Sequence, residues 1–187
     1  MKNRSLIIFF LCLIISVFTL LGLVFNKTNG EKLLSVETSN LLRIHIRANS
    51  NQVIDQEIKY KIKDEFVDFL TPFVVSCNSL EQAIQMIENK KQELIAISNK
   101  VLKENNFEYE TNIKIGKEYF PTRSYNQYTL NSGVYNSIIV ELGTGEGNNW
   151  WCVIYPPLCF TNFSNNNQNI VYKSKIMEII NKFFNGE

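Results

Sequence analysis

From Leu6 to Phe25 the chain runs LIIFFLCLIISVFTLLGLVF, twenty residues without a charge. No other feature restricts its fate so strongly. At about 1.5 Å rise per residue, such a run spans the roughly 30 Å of a hydrocarbon core. Lys2 and Arg4 stand before it, so the N-terminus is expected on the cytoplasmic side and the body outside. A cleaved signal peptide has the same polarity with a shorter apolar stretch. Both an anchor and a signal peptide fit residues 1–30, although Thr28-Asn29-Gly30 is a poor cleavage site.

The rest reads as a polar tether over 31–40 and one exported domain over 41–187. All 18 acidic residues lie from Glu31 onward, against 16 of the 19 basic ones. A body with that balance lacks the electrostatic footprint of a nucleic-acid binder. Its 45% apolar and 12% aromatic residues argue against disorder. Four scattered Cys, no CxxC and a single His leave little for a structural zinc site. Gly143-Thr144-Gly145-Glu146-Gly147 lacks the lysine of a phosphate loop and reads as a tight hairpin. Neither HExxH nor G-x-S-x-G occurs, so no metal and no cofactor is expected.

Periodicity organises the body. Leu42, Ile44 and Ile46 alternate with Arg43, His45 and Arg47, a half-buried strand with the polar trio outward. Ile54, Ile58, Ile62, Phe66, Phe69, Leu70 and Phe73 recur at three- and four-residue steps, an amphipathic helix. Ser79-Leu80-Glu81-Gln82 fits a capping box, and a second helix follows as far as Asn105-Asn106. Phe107 to Ile115 alternates strictly and is closed by Gly116. Val134 to Leu142 alternates again. Trp150 to Tyr155 is apolar on both faces, and Pro156-Pro157 stops it. Ile176, Ile179, Ile180, Phe183 and Phe184 predict a last helix. Four strands and three helices predict an α+β domain, a largely antiparallel sheet with helices packed on one face.

Within this frame the adjacent Trp150 and Trp151 offer large contact area, with rings on opposite faces of a strand. Three stretches then carry a resemblance: LRIHIRANS (42–50), FPT (120–122) and GEGNNWWCVIYPPLCF (145–160). In these motifs, their order and the apolar leader, the chain resembles the stage II sporulation protein R family of endospore-forming bacteria. The resemblance implies an exported signalling protein made in the forespore. It implies as partner a membrane-embedded aspartic peptidase of the mother cell, which processes pro-sigma-E. The candidate partner contacts are Arg43, His45, Arg47, Asn49, Glu146, Trp150 and Trp151. The rival readings are a purely structural envelope protein and a small secreted hydrolase pairing Cys152 or Cys159 with His45.

Cys152 and Cys159 are expected to approach and form a disulfide. Seven extended steps would hold them roughly 23 Å apart, whereas a bridge needs Cα atoms within about 7 Å. The chain must therefore reverse between them. Pro156-Pro157 is the turn signal there, with one X-Pro bond a candidate for the cis form. Cys77 is expected to remain free and buried.

Overall fold

A computed structural model of the chain describes residues 40–125, 128–161 and 167–185, together with Leu13, Ile14, Ser16, Lys32 and Leu33. The expected membrane segment at 6–25 therefore lies almost wholly outside the described residues. Among those described, no helix is long and apolar enough to cross a membrane. Seven strands are present among the described residues: β1 (Lys32–Leu33), β2 (Leu42–Arg47), β3 (Thr111–Phe120), β4 (Arg123–Tyr125), β5 (Tyr128–Leu130), β6 (Gly133–Leu142) and β7 (Asn149–Tyr155). The helices are α1 (Val53–Val74), α2 (Leu80–Glu104) and α3 (Asn167–Asn185), with a 3-10 turn at Leu158–Phe160.

The architecture is α+β, a mostly antiparallel four-stranded sheet in the order β3-β6-β2-β7. β3 with β6 and β2 with β7 are antiparallel, but β2 with β6 is parallel. This changes the reading of Gly143–Gly147. β6 and β7 are consecutive, yet β2 is inserted between them. The glycine-rich loop is thus no tight hairpin; it crosses over the C-terminal end of β2. The crossing is close. A Cβ on Gly147 would lie 2.3 Å from the Ser50 carbonyl oxygen, and one on Gly143 would lie 2.3 Å from Asn49 Oδ1. The Gly147 N–H donates to the Ala48 carbonyl at 2.8 Å.

Alternation sets the two faces of β2 as expected. Leu42, Ile44 and Ile46 join Ile58, Ile62, Phe66, Ile87 and Leu94 of α1 and α2 in the core. The helices end as their sequences indicate. Ser79 Oγ accepts from Gln82 N, and the Gln82 side chain accepts from Asn78 N. Asn106 takes a left-handed φ of 61° after α2, which Asn tolerates better than most residues.

Three expectations need correction. The clearest alternating strand starts late and runs through Gly116 to Phe120. β6 is ten residues long and pairs β3 along its whole length, and a continuous ladder outweighs one glycine's cost of roughly 0.5–1 kcal/mol. Part of the tether is a strand: β1 pairs parallel with β5 in a second sheet, β1-β5-β4. The main sheet is also covered beyond its helical face, since β4 and β5 fold back over the side that carries Arg43. α3 packs elsewhere, stacking Phe184 on Tyr128 of β5 at 4.3 Å and meeting Tyr155 through Phe183.

Gly147→Ala is expected to cost about 2 kcal/mol through overpacking, a fall in Tm of about 4–8 °C for a domain of this size. Gly116→Ala, with nothing within 4 Å of the new methyl, should leave Tm unchanged or slightly raised. Thermal unfolding of both variants checks the pair. Equal shifts would contradict the close crossing.

Candidate functional site

β2 points Arg43, His45 and Arg47 away from the helices, as alternation requires, but only Arg47 meets solvent. Arg43 and His45 are each 0% exposed. The expected open polar face is closed because β3 runs on to Phe120 and the chain then returns through β4 and β5. Arg43 Nη2 donates to Tyr125 Oη at 2.8 Å. Its guanidinium lies 4.2 Å from the Phe120 ring centroid and 4.6 Å from that of Tyr135. No carboxylate pairs with it among the described residues. Aromatic faces and one phenol stabilise this buried cation instead. Reversing it to Glu would bury a carboxylate against ring faces, so Arg43→Glu would test folding rather than contact.

His45 packs against Trp151 at 4.8 Å and Phe120 at 5.4 Å. Burial, then the Arg47 charge, lowers its pKa from 6.5 to about 4; Arg43 adds to this and Glu141 opposes it. At neutral pH it is an uncharged core side chain. Arg47 is half-buried and bridges Glu141 at 3.1 Å and Glu118 at 3.3 Å. Glu141 also accepts from Lys114 at 2.8 Å, a bond that helps hold its carboxyl below the usual range.

A second arrangement fastens the loop that crosses β2. Asn49 Nδ2 donates to Asp55, while its Oδ1 accepts from Thr144 N at 3.0 Å. Asp55 also accepts from Ser50 Oγ at 2.5 Å and Tyr109 Oη at 2.6 Å. Burial works against the Asp55 carboxylate, but these bonds together keep its pKa lowered. Asn51 Oδ1 accepts from Asn148 N at 2.7 Å, and buried Lys59 donates to the Asn148 carbonyl at 3.0 Å. Glu146 is the exposed charge at the tip of this loop.

Trp150 and Trp151 take opposite faces. Trp150 pairs with Ile46 on the helical side and Trp151 with His45 on the other. Both are half-buried; Trp151 meets Phe120 at 4.9 Å, with the Arg123 guanidinium 5.9 Å from its ring. Cys152 and Cys159 are bonded to each other, with Cα atoms 5.7 Å apart. Tyr155-Pro156 between them is cis. Cys77 is free and buried, and burial raises its thiol pKa. The Cys–His pair of the hydrolase reading is not assembled, because the two candidate sulfurs hold one another and His45 lies in the core.

The three motifs thus meet in space. LRIHIRANS supplies β2 and its exit, FPT begins with the ring that covers Arg43 and His45, and the long motif supplies the crossing loop, β7 and the disulfide. Sequence reasoning missed Tyr125, Tyr135, Asp55 and Tyr109. Tyr125 sits in a three-residue strand after a proline, too short to show a period. Asp55 did carry a signal, an acid in a helix's first turn just after three polar turn residues.

Comparison with known proteins agrees with this convergence. A family model described as stage II sporulation protein R matches residues 38–165. The chain is 34% identical over 167 residues to stage II sporulation protein R of Bacillus subtilis (strain 168). That alignment covers 88% of this chain and 74% of the relative. No solved structure matches.

The lowered His45 pKa has a definite consequence for stability. The unfolded chain takes up a proton near pH 6.5 and the folded one only near 4. The His45 contribution is therefore complete above pH 6.5 and is lost as pH falls toward 4. At pH 5 the loss relative to pH 7 should be about 2 kcal/mol. Urea unfolding between pH 7 and 5 measures it. His45→Leu should flatten that slope, and an unchanged slope in the variant would refute the assignment.

Proposed function

Since the chain belongs to the stage II sporulation protein R family, and so serves in sporulation, we propose that it is the exported signal that activates the sigma-E processing peptidase. In this reading it is made in the forespore and passes into the space between two membranes. There it triggers the membrane-embedded aspartic peptidase of the mother cell, which then cleaves pro-sigma-E. It acts by contact, without catalysis of its own.

The observation that carries this reading is the state of the chain's reactive side chains. Cys152 and Cys159 are joined, and His45 is enclosed by Phe120 and Trp151. What remains to offer a partner is surface. The disulfide also supports export, because such bonds persist in oxidising compartments. The uncharged run at 6–25 behind Lys2 and Arg4 supplies the route. An activator must bind its target's active state better than the inactive one. The residues with solvent-exposed surface for that contact are Arg47, Asn49, Glu146, Trp150 and Trp151, not Arg43 or His45.

Co-expression of the full chain with the peptidase and pro-sigma-E, in cells lacking other sporulation proteins, tests the proposal. Processing of pro-sigma-E should require all three components and should fail when Lys2 to Phe25 is deleted. Processing that proceeds without the chain would overturn the reading. In the same cells Cys152→Ser and Cys159→Ser should reduce processing equally, since each opens the same short loop and costs about 2–3 kcal/mol. Loss in only one of them, with the fold intact, would restore the reactive-thiol alternative.

A further inference from the structure

Three segments of the chain meet at the C-terminal end of β2, and the bonds between them fix their positions. Asn49 Oδ1 accepts from Thr144 N, Asn51 Oδ1 accepts from Asn148 N, and the Gly147 N–H donates to the Ala48 carbonyl. The Gly143 N–H donates to the Glu110 carbonyl, and Tyr109 Oη donates to Asp55. Residues 48–58, 105–111 and 143–149 thus build one end of the domain together. On it stand Val53, 73% exposed, and Ile54, 54% exposed. Val53 is the most exposed large apolar side chain among the described residues. The two open α1, where β-branching favours the helix little and neither side chain enters the core. An adjacent apolar pair left in water on a fixed backbone suits a contact more than it serves the fold.

The charge at this end is one-sided. The three segments carry Asp55, Glu57, Glu108, Glu110 and Glu146, and no Lys or Arg. All but Asp55 are exposed. Glu57 is one helical turn from Val53, so the two share a face. Glu108 and Glu110 flank Tyr109, which is tied to the residue after Ile54; Glu146 lies two residues before Asn148, which is tied to Asn51. The cations nearby are committed or peripheral. Lys59 is buried and donates to Gln56 and Asn148. Arg47 and Lys114 are paired with acids of the neighbouring strands. Lys61 donates to Asn105 Oδ1 and, with Lys103, borders the surface on the side of α2. We propose that Val53 and Ile54, with Glu57, Glu108, Glu110 and Glu146, form a docking surface for a cationic segment of the partner protein, one in which Lys or Arg residues stand beside an aliphatic side chain. The inference rests on the activator reading and names the chemistry of its contact. The apolar pair supplies contact area and the acids supply steering and register.

The test uses the full chain co-expressed with the peptidase and pro-sigma-E. A photo-crosslinking amino acid is placed at Val53 in one sample and at Val134, exposed at the opposite end of the sheet, in another. Adducts with the peptidase should form several-fold more from Val53, and the linked peptide, read by mass spectrometry, should contain Lys or Arg beside an aliphatic residue. Two double variants, Val53→Ser with Ile54→Ser and Glu57→Lys with Glu146→Lys, change only exposed side chains and should keep the wild-type Tm. Each should lower processing about tenfold, whereas Tyr119→Ser with Val134→Ser should leave it unchanged. A wild-type chain that gives neither processing nor adducts would overturn the activator reading and this surface together. Processing with adducts from Val134 but not Val53 would overturn the surface and leave the activator reading standing. So would full processing by both folded double variants, or a linked peptide without a basic residue.

Discussion

Strand β2 lies between β6 and β7, and the rest of the domain follows from that insertion. Its backbone is paired on both sides, parallel to β6 and antiparallel to β7. The chain that joins its neighbours must pass over its end. Passing that close fixes Gly143 and Gly147, which have no room for a Cβ beside Asn49 and Ser50. It also requires side chains that satisfy a loop lying on another loop, the task of Asn49, Asn51 and Lys59. Asp55 ties this junction to the first turn of α1 and, through Tyr109, to the chain entering β3. The helical face, the sheet and the crossing loop are therefore coupled through one strand.

A central strand of this kind buries both its faces, which is where Arg43 becomes informative. Removing a guanidinium from water costs several kcal/mol. A carboxylate partner would add its own desolvation. Here two close aromatic faces, each worth up to about 2 kcal/mol when desolvated, and a hydrogen bond to Tyr125 offset the cost without a second ion. The arrangement also has geometric consequences. Phe120, Tyr125 and Tyr135 come from three separate strands, so the cation positions β4 over β2. Arg43 acts as a bolt between layers, and the family motif that contains it records an interior constraint as much as a surface.

The sequence displayed whatever had a period or a local cap. The facing of β2, the stripe of α1, the Ser79 cap, the Asn106 turn and the reversal between Cys152 and Cys159 were all legible, because each depends on neighbours within a few residues. Topology was not. Nothing local in Gly143–Gly147 distinguishes a loop that joins adjacent strands from one that steps over an inserted strand. The steric cause, the Ser50 carbonyl, lies almost a hundred residues earlier. The same separation hid the cover over Arg43 and His45. Alternation states which side of a strand a residue takes, but not whether another layer lies on that side. β4 and β5, three residues each, were too short to declare themselves.

These constraints leave the two ends of the sheet with different characters. At the end where β2 begins, the exposed groups are Lys117, Tyr119 and Val134. At the other end the crossing loop is held by side-chain bonds to Asn49 and Asn51, Glu146 projects from it, and Val53 and Ile54 are exposed beside it. A contact that must favour one state of a partner gains from being preorganised, because ordering a mobile loop on binding subtracts from affinity. The crossing loop has already met that requirement within the fold. Its stiffness arises from the β2 insertion, so the constraint that shapes the core also prepares the surface at the C-terminal end of β2.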